Sequence, residues 1–140
     1  MVIDKEMIND KLVLMQKMLA DLAPYRSYVF LQYQQDKDAK YKVERIMHLL
    51  VECASDILNH ILADRGLAPA ASYADTFAQA GSQGVLDVGL AEKLKASAKM
   101  RNRLVHMYSD IDDKIVFDAI KYFLQDFAEF TRQAASLLNA

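Results

Sequence analysis

Apolar residues along this chain recur at steps of three, four and seven, the period of one face of a helix, and do not alternate as a half-buried strand would. The first run predicts a helix over residues 4–22, with Met7, Leu12, Leu14, Met15, Met18, Leu19 and Leu22 as its apolar side and Pro24 as its stop. An aromatic-rich stretch over 25–34, carrying Tyr25, Tyr28, Phe30 and Tyr33, predicts a short helix. The strongest stripe runs from Val43 through Ile46, Met47, Leu50, Val51, Ala54, Ile57 and Leu58 to Leu62. It predicts a long core helix over 38–66, capped at its end by Gly66. A loop with Pro69 follows, then one or two helical turns over 73–79, and then Gly81-Ser82-Gln83-Gly84, the clearest break in the pattern. That break lacks the lysine and hydroxyl of a phosphate-binding loop, so it reads as a turn. A third long helix starts near Val85, with Leu86, Leu90, Leu94, Ala98 and Val105 on its buried side. Residues 109–112 interrupt it, Asp110 or Asp112 caps the next helix, and the last helix covers 113–138 with Val116, Ile120, Phe123, Phe127 and Phe130 inward. Long helices with short links predict an all-α antiparallel bundle of four to five main helices, one domain over residues 1–140.

Composition narrows the function classes. The formal charge is −2, without the basic excess of a protein that coats nucleic acid, so broad duplex binding is excluded while a local basic cleft is not. No unbroken apolar run reaches the roughly 18 residues of a membrane span, and Met1-Val2-Ile3-Asp4-Lys5-Glu6 lacks the flank of a signal peptide. The expectation is a soluble cytoplasmic protein with no membrane partner. Cys53 is alone, which excludes an internal disulfide and a cysteine metal cluster. On an apolar helix it reads as a buried, inert thiol.

Chemistry concentrates in Arg101-Asn102-Arg103-Leu104-Val105-His106-Met107-Tyr108. Arginine holds phosphate with a permanent planar charge, and histidine moves protons near neutrality. Together they suit attack of an RNA 2′-hydroxyl on the neighbouring phosphate, with no metal or other cofactor. Arg101 would pair with the non-bridging oxygens, His106 would act as general base or acid, and Asn102 would orient His106 or the ribose. Arg103 is a weaker candidate for RNA contact. Tyr108 offers a hydroxyl beside the site and so a place for covalent control. At 100° per residue, Arg101 and His106 diverge by roughly 140° on an ideal helix. They meet at one phosphate only if the helix distorts or a second copy of the chain completes the site.

The eight-residue motif resembles the signature of the HEPN superfamily, and more narrowly its HepT-like toxin branch. Glu44-Arg45 and Glu52 on the upstream helix, Ser72-Tyr73-Ala74-Asp75-Thr76-Phe77 in the connector and Ile111-Asp112 after the motif extend the resemblance over nearly the whole chain. It implies a HEPN-like bundle acting as a homodimer with two motifs across a cleft, cleaving RNA as the toxin of a type VII toxin–antitoxin pair. It also implies a partner, a minimal nucleotidyltransferase antitoxin (MntA-like) that transfers AMP to the motif tyrosine, here Tyr108. The added phosphates would repel RNA and occupy Arg101. Glu52 enters as a site neighbour by this resemblance only.

Other readings compete. A non-catalytic helical module would use the same residues to bind a nucleotide or to present Tyr108 to a nucleotidyltransferase. Glu44, His48, Glu52, Asp56 and His60 recur every four residues and invite a metal-binding reading, but such a stripe drifts around the helix, and a solvated face with ion pairs is favoured. The aromatics from Tyr25 to Tyr33 could stack on bases, though helical packing is favoured there too.

Overall fold

The computed structural model describes residues 3–106 and 111–139, and of His106 the backbone. Among these residues helices are the only regular secondary structure. The elements are α1 (Lys5–Leu22), a 3-10 turn (Ala23–Ser27), α2 (Phe30–Gln35), α3 (Lys37–Asp64), α4 (Tyr73–Ser82), α5 (Val88–His106) and α6 (Asp113–Leu138). The all-α bundle expected from the periodicity is the fold. α3 runs through its middle and packs on α1, α4, α5 and α6, while α6 closes against α1 and α5.

Short acceptor side chains start these helices. Asp4, Asp36, Ser72 and Asp112 accept hydrogen bonds from the backbone N–H groups of Met7, Ala39, Asp75 and, for Asp112, both Lys114 and Ile115. Each satisfies a donor the helix leaves unpaired, worth about 1 kcal/mol. Asp112 is thus the cap of α6; Asp110 lies outside the described residues.

The ends of α3 and α4 follow one scheme. The Gly66 and Leu67 N–H groups donate back to Ala63 and Leu62, and those of Gly84 and Val85 donate to Gly81 and Ala80. Both glycines sit at positive φ, +81° and +73°, where other residues are strained. The break expected at 81–84 therefore narrows to Gly84. Gly81 is inside α4, and its purpose is contact: a Cβ placed there would stand 2.8 Å from the Ala91 Cβ of α5. Two helices that approach this closely read in sequence like a turn.

Other boundaries shift for local reasons. The single helix expected over 25–34 is split, because Tyr28 and Val29 are extended (ψ 149° and 155°) between the 3-10 turn and α2. α5 begins three residues later than expected, since Val85 and Leu86 are buried in the link and the Asp87 carboxylate accepts from the Leu90 N–H. On α1, Ile8 is fully buried, whereas Leu14 faces outward at 51% exposure. On α5, Leu104 is buried and Val105 only partly so.

The core is continuous. Met47, Leu50, Ile57 and Leu58 from α3 meet Phe123, Phe127 and Phe130 from α6, Phe77 from α4, and Ile8, Met15 and Leu22 from α1. Each such side chain contributes about 1.5–3 kcal/mol by leaving water. Phe123 and Phe127 stack with centroids 5.3 Å apart. Tyr33 is fully buried against Phe117, and its neighbour Phe30 touches the same ring, so these two aromatics pack rather than stack on a base. Burial pushes the Tyr33 phenol well above its ordinary value. Cys53 is buried, and its thiol, which burial likewise pushes up, donates to the Lys11 carbonyl oxygen.

α3 carries no unbroken apolar run, yet it is long and apolar enough by length and composition to cross a membrane. Its most apolar window has a mean hydropathy of 1.3, and 61% of that window is buried inside the bundle. Its apolarity is used by the core.

Candidate active site

Arg101 and Asn102 project from the last two turns of α5 into a cleft of about 320 Å³ between α3, α4 and α5. Ser55 and Asn59 of α3, Ala70 and Ala71 of the connector, and Ser72, Tyr73 and Thr76 at the start of α4 form its other walls. The Arg101 guanidinium lies over the Tyr73 ring, with its central carbon 4.7 Å from the ring centroid. That contact holds the charge against an aromatic face without neutralising it. Arg101 Nη1 donates to Asn102 Oδ1 at 3.3 Å, and Arg101 Nε is closed off from solvent with no hydrogen-bond partner among the described residues.

The floor of the cleft is a neutral relay. Asn59 Nδ2 donates to Ser55 Oγ at 3.5 Å, and the single Thr76 hydroxyl proton has two acceptors within reach, the Ser72 carbonyl oxygen at 3.1 Å and Asn59 Oδ1 at 3.4 Å. Ser55 and Thr76 are buried. Among the described residues, Arg101 is the one charged group in the lining.

A second polar pair stands near. His48 Nε2 and Glu52 Oε2 are 3.2 Å apart on α3. Burial lowers the His48 pKa below its usual 6.5; the charges of Arg101 and Arg45 act in the same direction, against Glu52. The rest of the four-residue stripe disperses. Asp56 pairs with Lys11 at 3.5 Å, and His60 Nε2 accepts from the Asp4 backbone N–H at 2.9 Å. Burial, with Asp113 nearby, raises the Glu44 carboxyl. Among the described residues, no group of three or more such side chains is arranged to hold a metal ion.

The residues expected from sequence thus divide. Arg101 and Asn102 share the cleft. Glu52 does not line it and binds His48 instead. Arg103 lines a different groove, with Met100, Leu104, Ile111, Asp112, Ile115 and Val116, between α5 and α6. His106 ends α5, which remains α-helical up to that residue, so the distortion that could turn His106 toward Arg101 does not occur before it. Tyr108 lies outside the described residues. Sequence reasoning missed Tyr73, Asn59, Ser55 and Thr76 as members of the cleft. The run 72–77 was noticed as a pattern, but nothing in its spacing says that Tyr73 reaches the arginine of another helix.

Comparison with known proteins places these features in a family. A family model described as ribonuclease HepT-like matches residues 15–134. A tRNA nuclease HepT of Aphanizomenon flos-aquae is 31% identical over 136 residues, 97% of this chain and 92% of that protein. An mRNA nuclease HepT of Shewanella oneidensis is 28% identical over 99 residues, 71% of this chain and 74% of that protein. Among solved structures, a tri-AMPylated HEPN toxin of Shewanella oneidensis in complex with MNT antitoxin superposes with a TM-score of 0.83 at 23% identity, covering 92% of this chain and 96% of that one.

Proposed function

The chain belongs to the HepT-like ribonuclease family, and from that premise we propose that it is an RNA endonuclease toxin that works without a metal ion. The observation that carries this reading is the Arg101 guanidinium, held over Tyr73 at a cleft whose other polar groups, among the described residues, are neutral. A fixed cation in a low-charge recess stabilises a phosphorane as its charge grows, and needs little reorganisation to do so.

In the proposed reaction the RNA 2′-oxygen forms a bond to the adjacent phosphorus and the bond to the 5′-oxygen breaks. His106 takes the 2′-hydroxyl proton, and an imidazolium returns a proton to the departing 5′-oxygen. The products are a 2′,3′-cyclic phosphate and a 5′-hydroxyl. Arg101 steadies the non-bridging oxygens, and Asn102, bonded to Arg101, aligns it or the ribose. Regular helix up to His106 favours completion of the site by a second copy, so that the partner subunit's His106 serves beside this Arg101. The α5–α6 surface suits such a homodimer. Two apolar grooves of about 270 and 290 Å³ adjoin there, Met100 borders both, and Tyr122 is 54% exposed beside them.

Tyr108 is the proposed target of AMP transfer by a minimal nucleotidyltransferase antitoxin of the MntA type, in the cytoplasm. The relative in complex with MNT antitoxin, itself tri-AMPylated, supports this pairing. Incubating purified chain with RNA in chelator tests the reading. Cleavage that vanishes in both Arg101→Ala and His106→Ala is the expected result. Intact RNA at high protein concentration would leave the non-catalytic module.

A further inference from the structure

The cleft beside Arg101 has a chemical selectivity that phosphate binding alone does not need. Its lining combines one cation with uncharged hydrogen-bonding groups from Ser55, Asn59, Ser72, Thr76 and Asn102. Among the described residues, that lining offers a metal ion no carboxylate and an anionic ligand one cation. The matching ligand has a single anionic group joined to a neutral body rich in donors and acceptors. A volume of about 320 Å³ admits a small molecule of that kind.

Asn59 is the group placed to read such a body. Its two polar contacts, with Ser55 Oγ at 3.5 Å and Thr76 Oγ1 at 3.4 Å, are long and employ at most one amide hydrogen and one oxygen lone pair. A carboxamide has two of each, so at least one donor and one acceptor remain. That pairing matches the edge of a nucleobase or the hydroxyls of a ribose. Ser55 and Thr76, both buried, hold the amide from two different helices. Alanines at 70 and 71 leave the opposite wall low.

We infer that the recess between α3 and the start of α4 is a nucleoside subsite: Arg101 takes the phosphate and Asn59, braced by Ser55 and Thr76, reads the sugar and base attached to it. The inference rests on the ribonuclease reading for the direction in which RNA enters, and it adds a residue that sets nucleotide preference. Tyr73 is a positioning residue in this arrangement, since it acts through Arg101.

The test is titration of the full chain with inorganic phosphate and with each of the four nucleoside 3′-monophosphates, followed by amide NMR shifts. At least one nucleotide should bind about tenfold more tightly than inorganic phosphate, the margin that one or two neutral hydrogen bonds supply. Asn59→Leu should erase that margin and leave phosphate affinity unchanged; Thr76→Val, nearly isosteric and on another helix, should reduce it in the same direction. Equal affinities for phosphate and all four nucleotides in the wild type would overturn the subsite, as would a margin that survives both substitutions. An RNA cleavage assay on the same wild-type protein separates the two ideas. Intact RNA with the margin present sinks the ribonuclease and keeps the subsite, whereas cut RNA with no margin does the reverse.

Discussion

Arg101 lies over Tyr73, its guanidinium carbon 4.7 Å from the ring centroid, although the two residues belong to different helices. The ring orients the charge and leaves its outer edge for a ligand. Replacing Tyr73 by Leu removes the aromatic face while keeping bulk, and should slow single-turnover RNA cleavage about 3- to 30-fold, with thermal stability little changed. Tyr73→Phe retains the face and should cleave at close to the wild-type rate. Equal losses in both variants would assign the effect to the hydroxyl and not to the ring.

Much of this fold is legible in the sequence because its core is periodic. The stripe from Val43 to Leu62 and the phenylalanines of α6 state which faces are buried, and Asp4, Asp112 and Gly66 mark ends within a residue or two. What periodicity does not encode is approach between helices. Gly81 reads as a turn in sequence and proves to be the point where α4 touches α5. The same blindness hides half of the cleft. Arg101 and Asn102 are conspicuous because they interrupt an apolar pattern, whereas Asn59 and Thr76 are ordinary polar residues whose meaning comes from facing each other across two helices.

The proposed control at Tyr108 has a direct readout. Chain produced together with a nucleotidyltransferase partner and ATP should gain the mass of one or more adenylyl groups on the peptide carrying Tyr108, and should lose RNA cleavage in step. Tyr108→Phe should remain unmodified and active. An unshifted peptide in fully silenced protein would replace covalent control with simple masking.

The His48–Glu52 pair predicts a pH dependence. Burial, then the charges of Arg101 and Arg45, depress the folded-state pKa of His48 below 6.5, while Glu52 opposes them. Below pH 6.5 the unfolded chain therefore takes up this proton more readily than the folded chain. The associated stability is complete above that value and declines as the pH falls through the window beneath it. Urea midpoints measured at descending pH should fall more steeply for the wild type than for His48→Gln; parallel curves would show that His48 titrates alike in both states.

Gly81 supplies a test of helix approach. A Cβ there meets Ala91 Cβ at 2.8 Å, and two methyl groups meeting across packed helices have no flexible end to swing aside. Gly81→Val should lower stability by about 1–3 kcal/mol, as overpacking does elsewhere. Chemical denaturation measures it. A paired Ala91→Gly change should restore part of the loss, since it removes the atom that is struck.

The burial of α3 has a consequence for synthesis. This helix is apolar enough to suit a lipid bilayer, and part of its cover is α6, the last helix of the bundle to leave the ribosome. A nascent chain stalled before residue 113 would leave bare the part of that greasy surface that α6 covers. Translation must run through α6 before the bundle can shield itself, so a premature stop there should yield aggregates or chaperone clients in place of a folded protein.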